Sequence, residues 1–170
     1  LKMPIQLYRN LGSGRFEDVS PKAGPAFQRE DVSRGAAFGD VDNDGDQDVV
    51  LGVAAGRTRL LLNTVGNARR WVGLRLIGRA VKRDMLGARV GIVAADGRTL
   101  WRRVRADGSY ASANDPRVLV GLGPMGPAAV RVRVQWPDGS DEQWASVATG
   151  RWSTLTQGGG QATTPVGAAP

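Results

Sequence analysis

The stretch "RGAAFGDVDNDGDQDVVLG", residues 34–52, decides how the chain is read. Its flanks, "RGAAFG" before and "VVLGV" (49–53) after, have strand character. Between them Asp40, Asp42, Asp44, Asp46 and Asp48 stand at alternate positions. With Asp40 as position 1, carboxylates fall at 1, 3, 5 and 9, Gly45 at 6 and Asp46 at 7. In calcium loops the side chains at 1, 3 and 5 converge on one ion, a glycine at 6 allows the sharp turn, and position 7 offers its backbone carbonyl. Crowded hard oxygens suit Ca²⁺ better than Mg²⁺, which keeps its waters and near-octahedral geometry. An EF-hand would carry Glu at position 12, where this chain has Leu51. The expectation is therefore a loop joining two strands, with Asp48 closing the coordination sphere. Five neighbouring carboxylates without a cation would repel one another, which disfavours a bare acidic turn. A catalytic metal would need an open position beside a base or electrophile, and the sequence identifies neither. A structural calcium is expected.

The rest of the chain is basic. Residues 1–68 hold 8 Lys/Arg against 9 Asp/Glu, net −1, and residues 69–170 hold 15 against 7, net +8. The asymmetry predicts two units with different electrostatic roles. The 170 residues contain no Cys and no His. That excludes disulfides, Cys/His zinc sites, Ser-His-Asp triads and Cys-His dyads, and it argues against an enzyme. No apolar run approaches the ~18–20 residues of a membrane span. The opening "LKMPIQLYRN" has neither a signal-peptide hydrophobic stretch nor an initial Met, as expected of a processed chain or a fragment.

Strand signals dominate residues 69–157. "VRVRVQW" (130–136) alternates Val130, Val132, Val134 and Trp136 with Arg131, Arg133 and Gln135, the period-2 pattern of a half-buried strand. "WVGLRLIG" (71–78), "ARVGIVAA" (88–95), "RTLWRRVRA" (98–106), "RVLVGL" (117–122) and "RWSTLT" (151–156) also predict strands. Asp96-Gly97 and Asp138-Gly139 predict tight hairpins, and Pro137 ends its strand. No long amphipathic helix is legible, so the fold class is all-β. A faint repeat aligns "QLYRNLGSGRF" (6–16) with "RLLLNTVGNARRW" (59–71), Asn10 on Asn63. Such an offset suits a propeller blade, and a lone blade must lean on something else.

Residues 34–52 resemble an FG-GAP (VCBS) repeat, the blade of integrin-α-like propellers, with "LYRNLGSGRFEDVSPKAG" (7–24) similar to the segment before such a blade. "WVGLRLIG", "RDMLGARVGI" (83–92), "VRADGSYASANDPRVLVGLG" (104–123) and "VRVQWPDGSDEQW" (132–144) resemble the ASPIC/UnbV domain, which follows such repeats in bacterial proteins and in cartilage acidic protein. The resemblance implies a partial propeller-type blade over 1–68 and a small antiparallel β-sandwich or barrel over 69–157. "GGGQATTPVGAAP" (158–170) is read as a flexible tail, or one held along a partner. It implies Ca²⁺ on Asp40, Asp42, Asp44, Asp46 (by its carbonyl) and Asp48. It further implies a secreted or periplasmic module that binds proteins without enzymatic activity.

The basic residues Arg98, Arg102, Arg103, Arg105, Arg131 and Arg133 form a candidate partner surface for an acidic protein or anionic membrane headgroups. Trp101 among them raises nucleic acid as a weaker candidate against a simply solvated strand face. Ser109, Tyr110, Ser112 and Asp115 cluster in "GSYASANDPR" (108–117), but a serine nucleophile would lack a histidine base, so a turn-rich loop is expected. Trp136 and Trp144 are expected to pack across strands. Two alternatives to the binding module stand beside it. One is an extrinsic accessory subunit of a larger, possibly membrane-embedded, complex. The other is a calcium-dependent hydrolase of glycans or phosphate esters.

Overall fold

The structure, a computed structural model, describes residues 2–94, 97–108, 110–123 and 126–163. It is all-β, with only short 3₁₀ turns besides strands. The N-terminal unit comprises β1 (Met3–Pro4), β2 (Tyr8–Gly12), β3 (Arg15–Asp18), β4 (Glu30–Asp31), β5 (Ser33–Gly39), β6 (Asp48–Val53) and β7 (Arg59–Leu61). Strands β5, β6 and β7 form an antiparallel meander, β2 and β3 a hairpin, and β1 pairs with β4. An ion pair between Arg59 and Asp31 ties β7 to β4. The faint repeat has a structural counterpart. Asn10, within β2, accepts a hydrogen bond from the Gly12 amide, and Asn63, just after β7, accepts one from the Val65 amide, the same two-residue side-chain turn.

The C-terminal unit contains β8 (Arg70–Ile77), β9 (Arg89–Val93), β10 (Thr99–Arg103), β11 (Val118–Gly123), β12 (Ala129–Gln135), β13 (Asp141–Ala148), β14 (Trp152–Thr156) and β15 (Gln161–Thr163). They build two open sheets, ordered β10-β9-β12-β13-β15 and β11-β8-β14. Alternation does what the sequence predicts. Val130, Val132 and Val134 of β12 are buried against Val72, Leu74 and Leu76 of β8 in one core, while Arg131 and Arg133 face outward. The unit is a sandwich rather than a barrel, since neither sheet closes on itself.

Three departures have clear causes. The unit is not wholly antiparallel, because β14 runs parallel to β8, from Trp152 beside Gly73 to Thr156 beside Ile77. The chain leaves the large sheet after β13, adds β14 to the small one and returns as β15, and such a crossover permits parallel pairing. Residues 158–163, assigned from sequence to the tail, are instead a turn and an edge strand. The Glu142 carboxylate accepts the Gly158 and Gly160 amides at 2.6 and 3.0 Å, and β15 pairs with β13. Composition misled there because the anchor lies in a different strand. Residues 164–170, and Ser109 and Asp96 among the sequence candidates, lie outside the described residues. The Asp138-Gly139 hairpin forms as expected, with Gly139 at φ 87° and the Trp136 amide donating to the Ser140 carbonyl. Trp136 and Trp144 pack edge to face at 6.4 Å.

Candidate metal centre

The loop 40–47 closes the β5–β6 hairpin, with Gly39 opposite Asp48. Its backbone turns inward on its own carboxylates. Asp40 accepts the amides of Asp44 and Gly45 at 3.1 and 3.0 Å, and Asp42 accepts that of Asp44 at 3.3 Å. Asp48 accepts the amides of Val41 and Asn63 at 2.8 and 2.9 Å, so it joins the start of the loop to the end of β7. Asp46 accepts the Gly66 amide at 3.1 Å.

This loop is the buried part of its unit. Asp40, Asp46 and Asp48 are 3, 4 and 1% exposed, and among the described residues Leu51 is the only hydrophobic side chain of the unit that is buried. Carboxylates taken out of water need compensation by opposite charge or metal. Among the described residues no guanidinium or ammonium pairs with the Asp40 or Asp48 carboxylate; the donors to these carboxylates are backbone amides and the Trp152 indole. Asp40, Asp42 and Asp48 each place an oxygen within 4.8 Å of the others. Asp40 Oδ1 and both Asp48 oxygens each keep a second lone pair beyond the one hydrogen bond that orients them. Three hard oxygens, pre-oriented and lacking a cationic side chain, fit a divalent ion. Asp44 and Asp46 fall outside this triad. The Asp44 carboxylate takes the Asp46 amide at 3.1 Å.

The tertiary structure adds what the sequence did not indicate: the loop is the joint between the two units. Strand β8 is buried on both faces. Val72, Leu74 and Leu76 face the core, while Trp71 and Gly73 face the acidic loop. Gly73 has no side chain, and the Trp152 ring occupies that space, since a Cβ there would lie 2.4 Å from it. Trp71 and Trp152 pack at 5.8 Å. Gly45, at φ 95°, abuts Trp71 so closely that a Cβ would fall 1.9 Å from the ring. Trp152 Nε1 donates to Asp40 at 3.0 Å. The Arg117 guanidinium stacks 4.0 Å from the centroid of Trp152, pairs with Asp115, and donates to the Asp40 carbonyl and the Asn43 side chain at 2.7 Å each. A second clamp runs along β5, where the Phe38 amide donates to Asn114 and the Asp115 amide donates to the Phe38 carbonyl. The segment holding Tyr110, Ser112 and Asp115 thus includes a docking clamp.

The six sequence-predicted arginines do not form one surface. Arg103, Arg131 and Arg133 share the outer face of the large sheet with Arg89, which the sequence reading did not include. Arg102 occupies the opposite face, Arg98 follows the β9–β10 turn, and Arg105 lies 3.7 Å from Asp107.

Comparison with known proteins agrees with this architecture. Residues 2–51 match the FG-GAP-like repeat, and residues 78–162 match the family described as ASPIC and UnbV. No curated protein matches the chain. A repeat-type hairpin whose acidic loop docks on a two-sheet domain, with both sequence matches falling on those units, leads to one assignment: the chain belongs to the ASPIC and UnbV family and carries an FG-GAP-like repeat ahead of that domain.

Proposed function

We propose that the protein is a non-enzymatic, extracytoplasmic protein-interaction module whose blade is stapled to its sandwich domain by one calcium ion. Asp40, Asp42 and Asp48 hold the ion, with Asp44 and the Asp46 carbonyl completing the loop. The observation that carries the reading is the triad of buried Asp40 and Asp48 with exposed Asp42, its oxygens within 4.8 Å and without a cationic side chain, set at the joint between the units. Calcium there neutralises buried charge and holds the loop in the shape that Trp71, Trp152 and Arg117 grip. FG-GAP-like and ASPIC/UnbV units support an interaction role outside the cytoplasm. Among the described residues no helix is long and apolar enough to cross a membrane. A non-enzymatic role is supported by the lack of His and Cys and by the partners of Asp40 and Asp48, which are structural donors.

The test is thermal unfolding with excess calcium and with chelator. Saturation at one hundred times Kd stabilises by about 2.7 kcal/mol, so the transition should move up by several degrees with calcium and less with magnesium. Superimposable curves sink the reading.

A second reading, an accessory subunit of a larger assembly, is favoured by one observation. Apolar side chains stay exposed across the N-terminal unit, including Phe16 at 61% and Val65 at 80%. A folded monomer with no tendency to associate at high concentration would count against it.

A further inference from the structure

Strand β10 ends the large sheet with no neighbour on its outer side among the described residues. The Ala94 amide donates to the Arg98 carbonyl, and the Val104 amide to the Ala88 carbonyl. Antiparallel pairs alternate between bonded and non-bonded. Leu100 and Arg102 therefore spend their backbone groups on β9, while those of Thr99, Trp101 and Arg103 point to the open edge. The Arg102 guanidinium already donates to one of them, the Trp101 carbonyl, at 2.9 Å.

The two flanks of that edge differ. On the outer face Trp101 lies over Gly91, and Arg89 sits 5.0 Å above its ring. Arg103 stands opposite Arg89 and Arg133 opposite Gly91. No acidic side chain pairs with Arg89, Arg103, Arg131 or Arg133 among the described residues. On the inner face Leu100 is 44% exposed and borders an apolar cleft of about 790 Å³ with Ile92 and Leu122. Cationic side chains on an edge strand repel basic strands and discourage neutral ones. The same charges attract an acidic strand.

We propose that β10 is a docking edge that accepts an extended acidic peptide segment of a protein partner as an added strand. Backbone groups of the segment pair with Thr99, Trp101 and Arg103. Its carboxylates meet Arg103 on the outer face, and an apolar side chain facing Leu100 on the inner face enters the cleft. Main-chain pairing supplies affinity and the alternating side chains supply selectivity. This assignment rests on the interaction-module reading and names its partner class; it does not involve the metal.

The probe is a short fluorescein-labelled peptide alternating glutamate and valine, titrated by anisotropy in calcium, with amide hydrogen exchange followed on the unlabelled complex. Binding with new protection at the amides of Thr99, Trp101 and Arg103 is expected. The Arg102→Glu/Arg103→Glu variant should weaken it about tenfold or more. Binding without protection at those three amides overturns the edge. So does undiminished binding by the variant, or no peptide binding alongside capture by phosphatidylglycerol vesicles. A failed titration beside a calcium-shifted melt removes this assignment and leaves the calcium-stapled module standing.

Discussion

The two units bury opposite kinds of side chain. The sandwich buries Val72, Leu74, Leu76, Val90, Val120, Val132 and Val134 between its sheets, a conventional apolar core. The blade buries Asp40, Asp46, Asp48 and Leu51 and leaves Met3, Tyr8, Phe16 and Leu62 in solvent. A sheet with so little apolar burial is marginal alone, because ordering its backbone costs about 1–2 kcal/mol per residue. The blade is thus held by polar means: amides folded onto carboxylates, a charge requirement suited to a cation, and a clamp from the neighbouring unit. The sandwich should be able to stand without the blade, and the blade should depend on the sandwich.

The largest test attacks the apolar side. Leu74→Ala should cost about 3–4 kcal/mol and unfold both units together, because β8 carries the core on one face and the joint on the other. A melt that loses the sandwich while the blade amides stay protected would break the comparison. Gly45→Ala attacks the joint alone. Its Cβ cannot coexist with the Trp71 ring and φ 95° is strained for alanine, so about 2 kcal/mol should be lost. Blade amides should then exchange faster while those of β12 keep their protection.

Trp152→Phe sharpens the picture further. It retains a ring over Gly73 but removes the donor to Asp40, so calcium affinity measured calorimetrically should fall about fivefold, near 1 kcal/mol. Unchanged affinity would place Trp152 in the packing only. The smallest effect lies in the sandwich. Arg75 donates to Asp84 at 2.7 and 3.1 Å, and that hydrogen bond chiefly holds the Asp84 carboxyl below its ordinary value, against the opposing effect of burial. A folded-state value below the unfolded one gives stability that is present above about pH 4 and lost as pH falls through the folded value. Arg75→Ala should raise the Asp84 titration seen by NMR. At neutral pH it should cost only about 0.5 kcal/mol, because solvent screens the exposed guanidinium.

Much of the fold was legible because its signals are local. The β12 alternation and the Asp138-Gly139 turn each fit within a dozen residues, and each appears where expected. Less of the site was legible. Asp40, Asp42 and Asp48 bring their carboxylates together, while the Asp44 carboxylate accepts the Asp46 amide and the Asp46 carboxylate the Gly66 amide, a division that spacing alone does not reveal. The distribution of the arginines was not legible either. Counting along one strand puts Arg102 and Arg103 together, although a pleated strand sends them to opposite faces. Arg89 joins the outer face only through pairing with Arg103. The supposed tail shows the converse: its glycines look flexible until Glu142, on another strand, accepts the amides of Gly158 and Gly160.

The sequence by itself determined the all-β class, the two-unit order, the alternating core of the sandwich and the acidic loop with glycine at its turn. These follow from backbone sterics and period-2 burial, which act between near neighbours. Only the tertiary structure decided that the loop is a joint. Trp152 and Arg117 reach Asp40 from 112 and 77 residues away, and no local pattern encodes so distant a contact. It arises because Gly73 and Gly45 leave space for two tryptophan rings on the outer face of β8, and those rings place their donors against the buried carboxylate.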